Sequence, residues 1–141
     1  MKRVVVLLLL TMVLFSCSSS KQTGSKPLFE VLTQQEDGGG NIQFFEILSE
    51  PNEIAMLQND DKLKDKINSN DVQTSNFIVL NMGEKPTGGY QIGVESVVET
   101  DKNIIITIKE TTPEPNAMVT QAITYPYCIV KINSKKEVIV K

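Results

Sequence analysis

The segment Phe77-Ile78-Val79-Leu80-Asn81-Met82 is apolar apart from Asn81. A run of that length without alternation belongs in the centre of a β-sheet, and the rest of the chain has to be read as what surrounds it. Leu28 to Thr33 and Ile42 to Leu48 are strand-like and flank Glu36-Asp37-Gly38-Gly39-Gly40-Asn41, so the spacing predicts a hairpin across a glycine-rich turn. Tyr90 to Val98 alternates, with Ile92, Val94 and Ser96 predicted on the buried face against Gln91, Gly93 and Glu95. Ile104 to Lys109 is β-branched almost throughout and should pair with that strand across Thr100-Asp101-Lys102-Asn103. Tyr127 to Ile132 and Glu137 to Val140 read as a final hairpin around Asn133-Ser134-Lys135-Lys136. Pro113 and Pro115 keep the segment 111–117 out of any central strand.

One helical pattern interrupts the strands. Ser49 is placed to cap a helix with Pro51 in its first turn, and Ile54, Met56 and Leu57 begin an apolar face. The pattern fades at Asn59-Asp60-Asp61 and resumes with Leu63 and Ile67, giving one helix or two short ones over 50–67, followed by a polar loop from Asn68 to Ser75. The total is about seven strands and one short helix: a single β-rich α+β domain, built as a sandwich or a partly open barrel.

Ahead of this domain stands a leader. Lys2 and Arg3 precede an apolar run from Val4 to Phe15 broken only by Thr11. The run is shorter than the ~20 residues a membrane-spanning helix needs and has the form of a secretory signal. Its end, Leu14-Phe15-Ser16-Cys17, resembles a lipobox, in which a thiol is alkylated by diacylglycerol and the chain is cut just before it. Residues 1–16 are therefore expected to be removed, and Cys17 to anchor the chain to a lipid bilayer. Residues 17–27, with no apolar residue to bury before Pro27, form a flexible tether, and the folded domain is 28–141. Ser18 rather than Asp after Cys17 resembles the sorting pattern for the outer membrane, so a lipid-anchored place in the cell envelope is expected. Taking Lys2 and Arg3 from the 14 Lys and Arg leaves 12 against 17 Asp and Glu, a formal net charge of −5. That balance, without a Lys/Arg block, argues against nucleic acid as a partner.

Chemistry has few footholds. There is no His, which removes Ser-His-Asp and Cys-His catalysis and His-based metal sites together. With Cys17 committed to lipid, Cys128 has no partner for a disulfide and reads as a small buried hydrophobe in Tyr127-Cys128-Ile129-Val130. Asp60-Asp61 lacks the glycine and closing Glu of a calcium loop, and Gly38-Gly39-Gly40 lacks the Lys-Ser/Thr of a phosphate loop. No catalytic residue, metal or cofactor is expected.

Two segments remain. Gly83-Glu84-Lys85-Pro86-Thr87-Gly88-Gly89-Tyr90 combines a Pro that fixes φ, two glycines that permit φ > 0 and a Thr that can bond its own backbone, the makings of a shaped loop. Tyr90 either packs on the core of an ordinary hairpin or serves an interface. Met118-Val119-Thr120-Gln121-Ala122-Ile123-Thr124-Tyr125-Pro126-Tyr127 is strand-like and broken at a Tyr-Pro step; aromatic-Pro steps favour cis more than most, and a bend is expected there. It reads either as an edge strand ending at Pro126 or as part of a binding surface.

These two segments, in this order and about thirty residues apart, resemble the PrcB-like family over roughly Asn76 to Ile132. The family consists of small exported bacterial proteins, often lipoproteins, and takes its name from an accessory subunit of a surface protease complex. The resemblance implies a non-catalytic protein that binds and stabilises a protease or its precursor, and it identifies no catalytic residue. Pro86-Thr87-Gly88-Gly89-Tyr90 is also similar to the Asn-Pro-Thr-Thr-Gly-Tyr loop of chagasin-type cysteine-protease inhibitors. It differs in lacking the Asn, in Gly88 for a Thr, and in Gln91-Ile92 where an aromatic would follow. The candidate partner-binding residues are Pro86, Thr87, Gly88, Gly89, Tyr90, Thr120, Tyr125 and Pro126. A small-molecule or envelope-polymer binding domain using the same loops is the competing expectation.

Overall fold

The computed structural model describes residues 26–141, so the leader, Cys17 and the tether as far as residue 25 lie outside the described residues. Among the described residues seven strands form two sheets. The first holds β1 (Phe29–Gln35), β2 (Gln43–Leu48), β3 (Asn76–Met82) and β6 (Tyr127–Ile132) in the order β1-β6-β3-β2, all antiparallel. The second holds β4 (Gln91–Glu99), β5 (Asn103–Thr111) and β7 (Glu137–Val140) in the order β4-β5-β7, with β7 parallel to β5. The sheets face each other without closing into a barrel, so the sandwich is the form adopted.

The apolar run of β3 is explained by what covers it. Ile78, Leu80 and Met82 point between the sheets, where they meet Cys128, Val130 and Ile132 of β6, Ile92 of β4, Ile104 and Ile106 of β5, and Val138 of β7. Phe77 and Val79 point the other way, into a second cluster with Leu32, Leu48, Ile54, Leu63, Ile67 and Ile129. The first sheet is thus covered on one face by the second sheet and on the other by segment 51–74. Each fully buried Ile, Leu or Phe contributes roughly 1.5–3 kcal/mol, and the two interior strands carry such residues on both faces.

That segment contains α1 (Pro51–Gln58) and the single turn α2 (Asp71–Thr74). The N-cap of α1 is Glu50, not Ser49, because the Glu53 carboxylate accepts from the backbone N–H groups of both Ser49 and Glu50 at 3.0 Å. Pro51 occupies the first turn as expected. Residues 61–66 are turns rather than helix. The segment read as a polar loop holds α2, whose Asp71 is buried at 1% exposure. Its carboxylate accepts the Asn68 N–H at 2.9 Å and stands 3.5 Å from the buried ammonium of Lys131, which also meets Glu30 at 3.2 Å.

Neither outer hairpin forms. β6 has β1 on one side and β3 on the other, so no edge is left for β7, which crosses to the second sheet. The same insertion separates β1 from β2, and the glycine-rich turn must cross the ends of β6 and β3. The β4–β5 hairpin forms as expected across residues 100–103, where Thr100 Oγ1 accepts the Asn103 N–H at 2.9 Å. A register shift between Val94 and Ser96 changes its inward face. Val97 joins the core, and Ser96 lies exposed.

Candidate functional site

Six strand ends meet at one end of the sandwich, and the loops they send out are tied together. Residues 83–90 connect β3 to β4 and lie against the segment that leads into β6. Lys85 and Thr124 exchange backbone bonds at 2.9 and 3.0 Å, and the Gly88 N–H donates to the Thr120 carbonyl at 3.0 Å. Thr124 Oγ1 donates to the Thr87 carbonyl at 2.8 Å, and the Met82 N–H to the Pro126 carbonyl at 2.9 Å. Thr87 Oγ1 also donates to the Gly88 carbonyl at 3.0 Å.

The two glycines have different reasons. Gly89 has φ +85°, where a side chain is strained, and a Cβ there would lie 3.0 Å from both Pro113 Cβ and Val119 Cγ1. Gly88 is not in that region, against expectation; its requirement is close approach, because a Cβ would stand 2.4 Å from Thr120 Oγ1. Tyr90 is half-buried and packs on the main core, with the Lys85 ammonium 5.9 Å from its ring centre.

Pro86 and Thr120 are exposed, Thr87, Gly89 and Tyr125 are half-buried, and Gly88 and Pro126 are buried. The structure therefore brings all eight predicted residues into one cluster. Gly88 and Pro126 are covered, so their part in it is to shape the backbone. The Tyr125 hydroxyl donates to the Glu84 carboxylate at 3.2 Å. That bond holds the phenol above its ordinary pKa, and burial and the charges of Glu84 and Asp37 push the same way. The Tyr125-Pro126 bond is trans, as no described peptide bond is cis.

Sequence reasoning missed the third loop of the cluster. The turn after β1 docks here through the Gly39 N–H on the Tyr125 carbonyl at 2.9 Å, and Asp37 accepts the Tyr125 N–H at 3.2 Å. Its anchor is Asn81, buried at 1% exposure, which accepts the Gly40 N–H at 3.0 Å and donates to the carbonyls of Gly40 and Ile42. The signal was in view: a lone Asn in an apolar strand needs buried hydrogen-bond partners, and a crossing loop supplies them.

The cluster presents apolar groups to solvent. Ile123 is 57% exposed and Met118 fully so. Cys128 lies wholly inside, and burial pushes its thiol up to about 11, which leaves it un-ionised and unreactive near neutral pH. Among the described residues no group of three or more His, Cys, Asp or Glu could hold a metal ion.

No curated protein matches the chain, and no solved structure does. A family match does exist, to the PrcB C-terminal family over residues 76–133. It runs from the first residue of β3 to the residue after β6 and takes in both bridged segments of the cluster. Over that segment the chain is similar to the PrcB C-terminal family, and the match supports the PrcB-like reading.

Proposed function

We propose that this chain is a non-catalytic, lipid-anchored protein of the bacterial cell envelope that binds and stabilises a partner protein, a protease or its precursor, through loop 83–90 and segment 118–127. The observation that carries the reading is a loop pair built without slack that still exposes apolar side chains. Five hydrogen bonds between 82–88 and 120–126, the close approach of Gly88 to Thr120 and the positive φ of Gly89 hold its shape, while Pro86, Met118 and Ile123 face solvent. A preorganised loop does not have to be ordered on binding, and exposed apolar groups on a rigid support mark recognition surfaces. Association with a protease complex agrees with the family that residues 76–133 match. The anchor is Cys17, and the outer membrane is its proposed site.

The test is photo-crosslinking in the native envelope from a reactive residue at Ile123, with a second at Lys102 in the opposite turn as control. A single protein adduct of protease or precursor mass, formed from 123 and not from 102, is the expected result. Thr87→Ala should reduce it without an equal loss of folded protein. No adduct from 123, together with a dialysable ligand, would favour the small-molecule or polymer reading, for which an open groove of about 410 Å³ borders the cluster at Asn81. Fatty-acid label lost on Cys17→Ser tests the anchor separately.

A further inference from the structure

Four strands lie at sheet edges, and three of them carry features that discourage pairing. β1 is bulged between Val31 and Thr33, β4 is bulged between Val94 and Ser96, and β7 has only 4 residues. β2 has none of these. Its six residues, Gln43-Phe44-Phe45-Glu46-Ile47-Leu48, pair with β3 in unbroken register and include no Lys and no Pro. Phe44 and Phe45 are 43% and 55% exposed on its two faces. Such an edge presents unpaired backbone groups to any extended chain.

Grooves lie on both sides of it. On the side of the second sheet is the groove of about 410 Å³, floored by Phe45, Ile92 and Ile108 and rimmed by Glu110. On the helix side is one of about 230 Å³, between β2 and α1, lined by Met56 and Leu57 and rimmed by Glu46. Side chains of a strand alternate between faces, so a strand added to β2 would drop successive residues into the two grooves in turn. Neither groove is lined by Lys or Arg, and neither Glu46 nor Glu110 forms an ion pair among the described residues.

We propose that β2 is a strand-addition site for an extended segment of the partner protein that carries both apolar residues and Lys or Arg on each of its two faces. The proposal rests on the protein-binding reading above and gives the partner a second, chemically defined contact. The carboxylates select its charge. A second copy of this chain is disfavoured for the same reason, since β2 paired with β2 would set these carboxylates against their equals in a protein of net charge −3.

The experiment uses the full chain and three synthetic peptides, each a four-residue repeat that places both residue types on both faces: Val-Val-Lys-Lys (the Val-Lys peptide), Val-Val-Glu-Glu (Val-Glu) and Gly-Gly-Lys-Lys (Gly-Lys), the last of matched positive charge. Amide hydrogen exchange is read along the chain. The Val-Lys peptide should slow exchange of residues 43–48, and the other two should not. Glu46→Gln with Glu110→Gln should weaken its binding about five-fold or more, and Thr87→Ala should leave protection of 43–48 unchanged. Equal protection by the Val-Glu or Gly-Lys peptide, no protection by Val-Lys, or loss of protection on Thr87→Ala would overturn the proposal. So would a concentration-dependent dimer with 43–48 protected in the absence of peptide. Failure of the loop reading leaves a different trace: no crosslink from Ile123, with the Val-Lys peptide still protecting β2.

Discussion

Gly88→Ala tests whether the loop pair is held as closely as its geometry implies. The new Cβ would stand 2.4 Å from Thr120 Oγ1, whereas the next contacts, Thr120 Cβ and N, are both at 3.6 Å and ordinary. The clash is therefore with one atom. Thr120 is β-branched, so turning that oxygen away costs a rotamer, and overpacking of this kind costs about 1–3 kcal/mol. Gly88 has no positive φ, so alanine also restricts the unfolded chain and returns about 0.4–1 kcal/mol. The net loss is about 1–2 kcal/mol, read as a lower urea midpoint at constant slope and a melting point lower by roughly 4–8 °C. Thr120 is exposed and its hydroxyl makes no hydrogen bond among the described residues, so Thr120→Ala alone should shift stability by less than about 0.5 kcal/mol. With the oxygen gone, Gly88→Ala becomes favourable, and the double variant should equal or exceed Thr120→Ala. Gly89→Ala is the contrast: its backbone strain of about 1–2 kcal/mol and its contacts with Pro113 and Val119 do not involve Thr120. Additive costs for Gly88→Ala and Thr120→Ala would refute the reasoning, as would an equal rescue of Gly89→Ala.

Two further expectations concern the interior. The Cys128 thiol should resist labelling until the protein unfolds. Because its folded pKa is raised from 9.0 to about 11, its contribution is intact below pH 9 and lost as pH rises toward 11. That loss is on the order of 2–3 kcal/mol relative to Cys128→Ala, and parallel stability curves for the two proteins would contradict it. Asp71→Ala should cost about 3 kcal/mol, since it leaves the Lys131 ammonium buried with only the half-exposed Glu30 at 3.2 Å. Adding Lys131→Met should recover most of that in urea titrations, and additive losses would remove the ion pair as the cause.

Local pattern was enough for the number and place of the strands, because burial on one face or two is written directly into alternation or its absence. The central position of Phe77–Met82, the β4–β5 hairpin, Pro51 at a helix start and the buried Cys128 were all readable that way. The two segments of the candidate site stood out for a related reason: Pro, Gly and Thr in close succession declare a built loop even when its neighbours are unknown. Pairing is another matter. Which strand lies beside which is a contest for sheet edges between residues far apart in the chain: β6 took β1 from β2, and β3 took the β6 edge from β7. Two bulges moved faces that simple alternation would have assigned. The glycine turn joined the site, rather than closing a hairpin, because it had two strands to cross and Asn81 to hold it there. Gly88 shows the division at a single residue. Sequence marks it as glycine in a shaped loop, but the reason it must be glycine is Thr120, which only folding brings to 2.4 Å from the place of the missing side chain.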